Sequence, residues 1–125
     1  MLSVQSSAIP RSALFLQTKV WPTYLGFWPT VSEVLKSLDS LGTSYLDLVM
    51  LHWPFCYRET DWFHCQDTVE PEGTWRESLE AVLKLYAEGK VMAVGVSNFN
   101  LDLLMEIAPA TNFIPHVVQN FATLH

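Results

Sequence analysis

Four short apolar runs punctuate this chain, at 13–19, Tyr45–Leu51, Val91–Val96 and 115–119, and each gap between them can hold a helix. That spacing is the strongest constraint on the fold. Antiparallel strands are joined by tight turns, whereas parallel strands need a crossover of a dozen or more residues. Nearly continuous apolar runs such as Leu46-Asp47-Leu48-Val49-Met50-Leu51 also suit strands covered on both faces. The alternation predicts an α/β chain of four parallel strands with intervening helices and right-handed crossovers.

The gaps carry helix signals. Thr30 followed by Glu33 reads as a capping box, which makes Pro22 to Pro29 a turn-rich, aromatic loop. Val31, Val34, Leu35, Leu38 and Leu41 then recur at helical spacing, and Gly42 stands where a left-handed residue ends a helix. Thr74 and Glu77 form a second capping box, with Leu79, Val82, Leu83 and Tyr86 on one face and Gly89 at the close. Asn100 can cap a third helix running to about Ile107, where Pro109 is expected to stop it. The stretch from Trp53 to Gly73 is polar and irregular, and reads as a long loop.

A closed eight-stranded βα barrel takes about 200 residues or more, and 125 residues leave room for about half of one. Half the residues are hydrophobic and 16% are charged, a composition that can bury a core. A net charge of −6 argues against a nucleic-acid partner, which would need a basic face. The apolar runs are too short to cross a bilayer, and no charged segment precedes an apolar one near Met1, so neither a membrane nor a secretory route is expected. Cys56 and Cys65 flank His64 without metal-ligand spacing. No metal is expected, and the thiols are expected reduced, as in a cytoplasmic protein.

In strand–helix architectures the functional groups gather where the strands end. Here those positions hold Lys19, His52, the pair Ser97 and Asn98, and Gln119. Trp21 and Trp53 follow closely on the first two. A lysine, an imidazole, a hydroxyl and two amides are the groups wanted for polarising a carbonyl and gripping a carboxamide. Each also has a plainer reading alone: a lysine stem over apolar surface, a hydrogen-bonded core histidine, tryptophans packed as core.

These strand ends and their flanks resemble the aldo-keto reductases, in order and over nearly the whole chain. Ile9-Pro10-Arg11-Ser12 through Thr18-Lys19-Val20-Trp21 is similar to that family's third strand. Tyr45-Leu46-Asp47-Leu48 through His52-Trp53-Pro54 is similar to its fourth. Gly89-Lys90-Val91 through Gly95-Val96-Ser97-Asn98-Phe99 is similar to its fifth. The resemblance implies NADPH-dependent reduction of small aldehydes and ketones by a tetrad of Asp, Tyr, Lys and His. It makes Lys19 the tetrad lysine, which lowers the tyrosine's pKa, and His52 the histidine that orients the carbonyl. Ser97, Asn98 and Gln119 become the residues holding the nicotinamide carboxamide, and Trp21 and Trp53 the walls of the substrate pocket.

There are departures. The family's tetrad Asp and Tyr precede its third strand, and nothing in this sequence ahead of residue 13 matches them. Nothing here matches its seventh and eighth strands either, and Val118 stands where an asparagine usually precedes the glutamine. The resemblance therefore implies a partial (β/α)8 TIM barrel, strands three to six, with residues 1–125 as a partial domain missing both ends. Such a chain is expected to be catalytically incomplete alone. The alternatives are a non-catalytic half-barrel that self-associates through exposed strand edges, or a truncated splice or gene-model product.

Overall fold

The computed structural model describes residues 8–56 and 71–120. Within them four strands, β1 (Gln17–Val20), β2 (Leu48–Leu51), β3 (Val94–Ser97) and β4 (Val117–Gln119), alternate with three helices, α1 (Phe27–Leu41), α2 (Trp75–Ala87) and α3 (Leu101–Thr111). All three strand pairings are parallel and the sheet runs in chain order, β1-β2-β3-β4. A doubly wound sheet reverses its order and carries helices on both faces. A sheet that advances one way puts every right-handed crossover on the same face, which is how a βα barrel grows.

The core follows that geometry. Val20, Val49, Leu51, Val94 and Val96 pack with Val34, Leu38, Leu79, Val82, Leu85 and Ile107 from the helices. Strand side chains alternate between faces, so Lys19, Met50, Gly95, Ser97, Val117 and Gln119 belong to the opposite, inner face. Lys19, Met50, Gly95 and Val117 form one row across all four strands. Gly95 is required there. A Cβ on it would come within 2.9 Å of the Val117 carbonyl oxygen and 3.0 Å of Met50 Cγ, so only glycine lets the methionine lie across the strand.

Two of the helix ends match their local signals. Thr74 Oγ1 accepts from the Glu77 N–H while the Glu77 carboxylate accepts from the Thr74 N–H, closing the capping box of α2. Gly42 ends α1 in the left-handed region at φ 66°. The start of α1 differs. It begins at Phe27, a turn earlier than the Thr30 signal predicts. Pro29 falls in its first turn, where a missing N–H costs no helical bond. Thr30 is fully buried and its hydroxyl is committed elsewhere, donating to the Tyr24 carbonyl (3.1 Å) and lying 2.8 Å from Ser78 Oγ on α2. Pro109 does not end α3, which continues to Thr111 and stops at Asn112 in the left-handed region, φ 55°. The proline removes one helical bond near the C-terminus.

The strands are shorter than their apolar runs. Residues Arg11–Ala13 form a 3-10 turn, and the segment after it is held by side chains as well as by the Leu16 carbonyl, which accepts from the Asp47 and Leu48 N–H groups. Arg11 donates to Thr43 Oγ1 (2.9 Å), to the carbonyls of Leu14 and Tyr45 (2.9 Å each) and to Asp47 Oδ2 (2.7 Å). Its guanidinium also lies 3.9 Å over the Tyr45 ring. Asp47 Oδ2 accepts from the Leu16 N–H as well (2.9 Å). Burial alone would raise the Asp47 pKa, but the Leu16 N–H and the Arg11 guanidinium outweigh it and hold the carboxyl below its usual range. This knot lies at the N-terminal rim of the sheet, the end opposite the strand-end residues.

Cys56 is disulfide-bonded, against the expectation that it is reduced. Cys65 and His64 lie outside the described residues. Among the described residues no helix is long and apolar enough to cross a membrane, and no group of three or more His, Cys, Asp or Glu could hold a metal ion.

Candidate active site

The C-terminal rim gathers the strand-end residues by register. The His52 N–H donates to the Val20 carbonyl (2.9 Å), which continues the β1–β2 ladder one residue past Leu51. His52 therefore keeps the alternation of β2 and falls on the inner face with Met50 and Lys19. Ser97 pairs with Gln119 on the next two strands, on the same face. Four strands thus bring Lys19, His52, Ser97 and Gln119 to one side of one rim.

Asn98 ties three of those strand ends together. It holds a left-handed backbone at φ 62°, a conformation asparagine tolerates better than most residues. Its Nδ2 donates to the His52 carbonyl (2.9 Å) and to Ser97 Oγ (3.0 Å), and its N–H donates to the Gln119 carbonyl (3.0 Å). The turn after β3 is built from that one residue. Asn98 thus acts here first as a support for its neighbours.

His52 sits between two tryptophans. The Trp21 ring meets it edge-on with centroids 4.7 Å apart, and the Trp53 ring lies 6.0 Å away, tilted. Burial lowers the His52 pKa, and the Lys19 ammonium lowers it further. The imidazole is thereby kept neutral, able to donate from one nitrogen and accept at the other. Its Nδ1 is buried with no hydrogen-bond partner among the described residues.

Lys19 makes no ion pair with a described carboxylate. It lines a small recess of about 40 Å³ with Glu33 and Ser37 of α1. A larger cleft of about 300 Å³ opens on the β3 side, lined by Trp53, Asn98, Phe99, Asn100 and Asn120. Lys19 and Trp53 therefore line different recesses on the same rim. Sequence reasoning had passed over Asn120, whose Nδ2 donates to the Phe99 carbonyl (2.9 Å). The asparagine pair flanking Phe99 was the available signal for that side of the rim.

The groups present suit a planar carboxamide. Ser97 is buried, with a hydroxyl that can donate or accept, and the exposed Gln119 side chain offers both an N–H and a carbonyl. They sit side by side in register, as recognition of an amide edge requires.

Comparison with known proteins places this architecture in a family. Residues 3–123 match the Aldo/keto reductase family. The chain is 35% identical over 118 residues to the glyoxal reductase of Bacillus subtilis (strain 168), covering 94% of this chain and 37% of that protein. It is 35% identical over 117 residues to an aldo-keto reductase of Mycolicibacterium paratuberculosis, covering 94% and 36%. The chain thus spans little more than a third of the length of these relatives. Among solved structures, the crystal structure of an aldo/keto reductase from Brucella melitensis superposes with a TM-score of 0.77 at 30% identity, covering 95% of this chain and 41% of that one. A silkworm (Bombyx mori) aldo-keto reductase complexed with NADPH gives 0.73 at 28% identity, covering 91% and 33%. The fold is a partial (β/α)8 barrel, and the chain belongs to the aldo/keto reductase family.

Proposed function

We propose that this chain supplies the carbonyl-orienting and carboxamide-holding side of an NADPH-dependent reductase of small aldehydes and ketones. The observation that carries the reading is the placement of Lys19 and His52 on one face of adjacent strands at the C-terminal rim, with His52 held neutral by burial and by that lysine. A neutral imidazole can donate a hydrogen bond to a carbonyl oxygen without competing for its proton. Ser97 and Gln119 would hold the carboxamide of the nicotinamide, and Asn98 would fix both of them and His52 in place. When bound, the reduced nicotinamide supplies the hydride. Trp21 and Trp53 would exclude water from the His52 ring and shape the substrate's approach.

Hydride addition leaves negative charge on oxygen, which calls for a proton donor. Lys19 is suited to lowering the pKa of such a donor rather than to being one. The resemblance puts the family's Asp and Tyr ahead of the strand that carries Lys19, so the 125-residue polypeptide taken by itself is proposed not to turn over. The glyoxal reductase relative supports glyoxal as the first substrate to try. The purified 125-residue chain should oxidise NADPH with glyoxal no faster than buffer does, and a rate near that of full-length relatives would overturn the reading. The holding role has its own test: titration with nicotinamide mononucleotide should move the amide resonances of Ser97, Asn98 and Gln119 before others. Shifts elsewhere, with none at these three, would sink it.

A second reading is self-association of this polypeptide through its strand edges. It is supported by the exposure of Val117 and Val118 along β4 and of Ile114 just before it. Light scattering across a dilution series should then show a mass above one chain, and a monomer at every concentration would dismiss it.

A further inference from the structure

β4 starts on β3 in an unusual way. Pro115 has no N–H, so the first backbone bond of the pair comes from His116, whose N–H donates to the Val94 carbonyl (2.9 Å). The Val94 N–H is buried at the start of β3 and receives no carbonyl from β4. It donates instead to His116 Nδ1 (3.0 Å). One residue thus makes both bonds to Val94, one through its backbone and one through its imidazole, which stands in for a rung of the ladder.

We propose that His116 is a pH-sensitive positioning residue that sets the register of β4 and, through it, the place of Gln119. The bond from Val94 exists only while Nδ1 carries a lone pair. Protonation puts a hydrogen on Nδ1, facing the Val94 N–H, and the acceptor is lost. His116 is exposed to solvent, so protons reach it. The rings packed on it are those of Tyr86 of α2 (5.4 Å) and Phe113 (5.2 Å), neither of them a carboxylate. The charges that follow Tyr86, Glu88 and Lys90, are paired with each other at 2.7 Å. No carboxylate among the described residues pairs with the imidazolium, so protonation weakens the latch without a compensating contact there. The consequence for Gln119 rests on the site reading above, but the latch itself does not.

Amide hydrogen exchange on the full chain, with no cofactor present, tests the latch directly. Protection of the Val94 N–H, corrected for intrinsic exchange, should fall as pH is lowered from about 8 to about 5. The Asn98 N–H, which bonds to the Gln119 carbonyl, should lose protection in parallel as β4 shifts. His116→Asn keeps an acceptor near the Nδ1 position and should give a flat profile with Val94 still protected. His116→Ala should leave Val94 unprotected at every pH, while Leu48–Leu51 of β2 stay protected. A flat wild-type profile would overturn the proposal. So would a fall in the His116→Asn variant that matches the wild type, because another group would then be titrating.

Discussion

The two rims of this sheet are built to opposite rules. At the N-terminal rim Arg11 and Asp47 satisfy each other and take up the Leu14 and Tyr45 carbonyls, the Thr43 hydroxyl and the Leu16 N–H. At the C-terminal rim, among the described residues, Lys19 forms no ion pair with a carboxylate and His52 Nδ1 is buried without a partner. A group matched within the chain contributes to stability. A buried polar group left open costs stability and is free to meet a ligand. The contrast fits βα barrels generally, in which one rim serves the fold and the other serves chemistry.

The comparison breaks most easily at its strong end. Asp47→Ala should destabilise the chain by about 3 kcal/mol, because it removes the ion-pair partner of a partly buried guanidinium and leaves the Leu16 N–H unmatched. Lys19→Met should change stability by less than about 0.5 kcal/mol. Urea denaturation of the two variants side by side would refute the contrast if Lys19→Met proved the costlier. The next effect is expected at the one dense spot on the open rim. Asn98→Ala should cost about 2 kcal/mol, for two lost side-chain bonds and a strained left-handed backbone. Asn98→Gly should recover only the backbone part.

Two smaller effects are read by pH. The folded-state pKa of Asp47 lies below its ordinary value of 3.8, so its stabilisation is complete above that value and is lost as pH falls through the folded pKa. Asp47→Asn should therefore flatten the acid arm of a stability profile below about pH 4. His52 acts in the same direction but in a higher pH window. Its folded pKa lies below the ordinary 6.5, so the unfolded chain takes up the proton first. Stability declines as pH drops below 6.5, until the folded imidazole itself titrates. Lys19→Met should raise the His52 pKa by removing the nearby cation, a change that imidazole NMR would detect. An unchanged titration would show that the two do not sense each other.

What was legible in the residues divides along the same lines. The strand C-terminal ends were readable because an apolar run stops at a polar residue, as at Lys19 and His52. The strand starts were not, because Arg11 and Asp47 occupy backbone groups that the apolar pattern assigns to a ladder. The Thr74 box and the Gly42 cap were visible since each uses only its own helix end. Thr30 misled because its hydroxyl serves a neighbour 48 residues away. That partner, Ser78, carries no signal of its own. The support role of Asn98 needed a backbone angle, and the state of Cys56 needed a partner in space. Neither is written in local spacing.

The chain-order sheet also has a consequence for how the molecule comes into being. Each strand pairs with the one made just before it, so every β–α–β unit can dock on a finished neighbour as it leaves the ribosome. Loops close over one crossover at a time, so the sheet can grow stepwise even though each parallel pairing joins residues far apart in the chain.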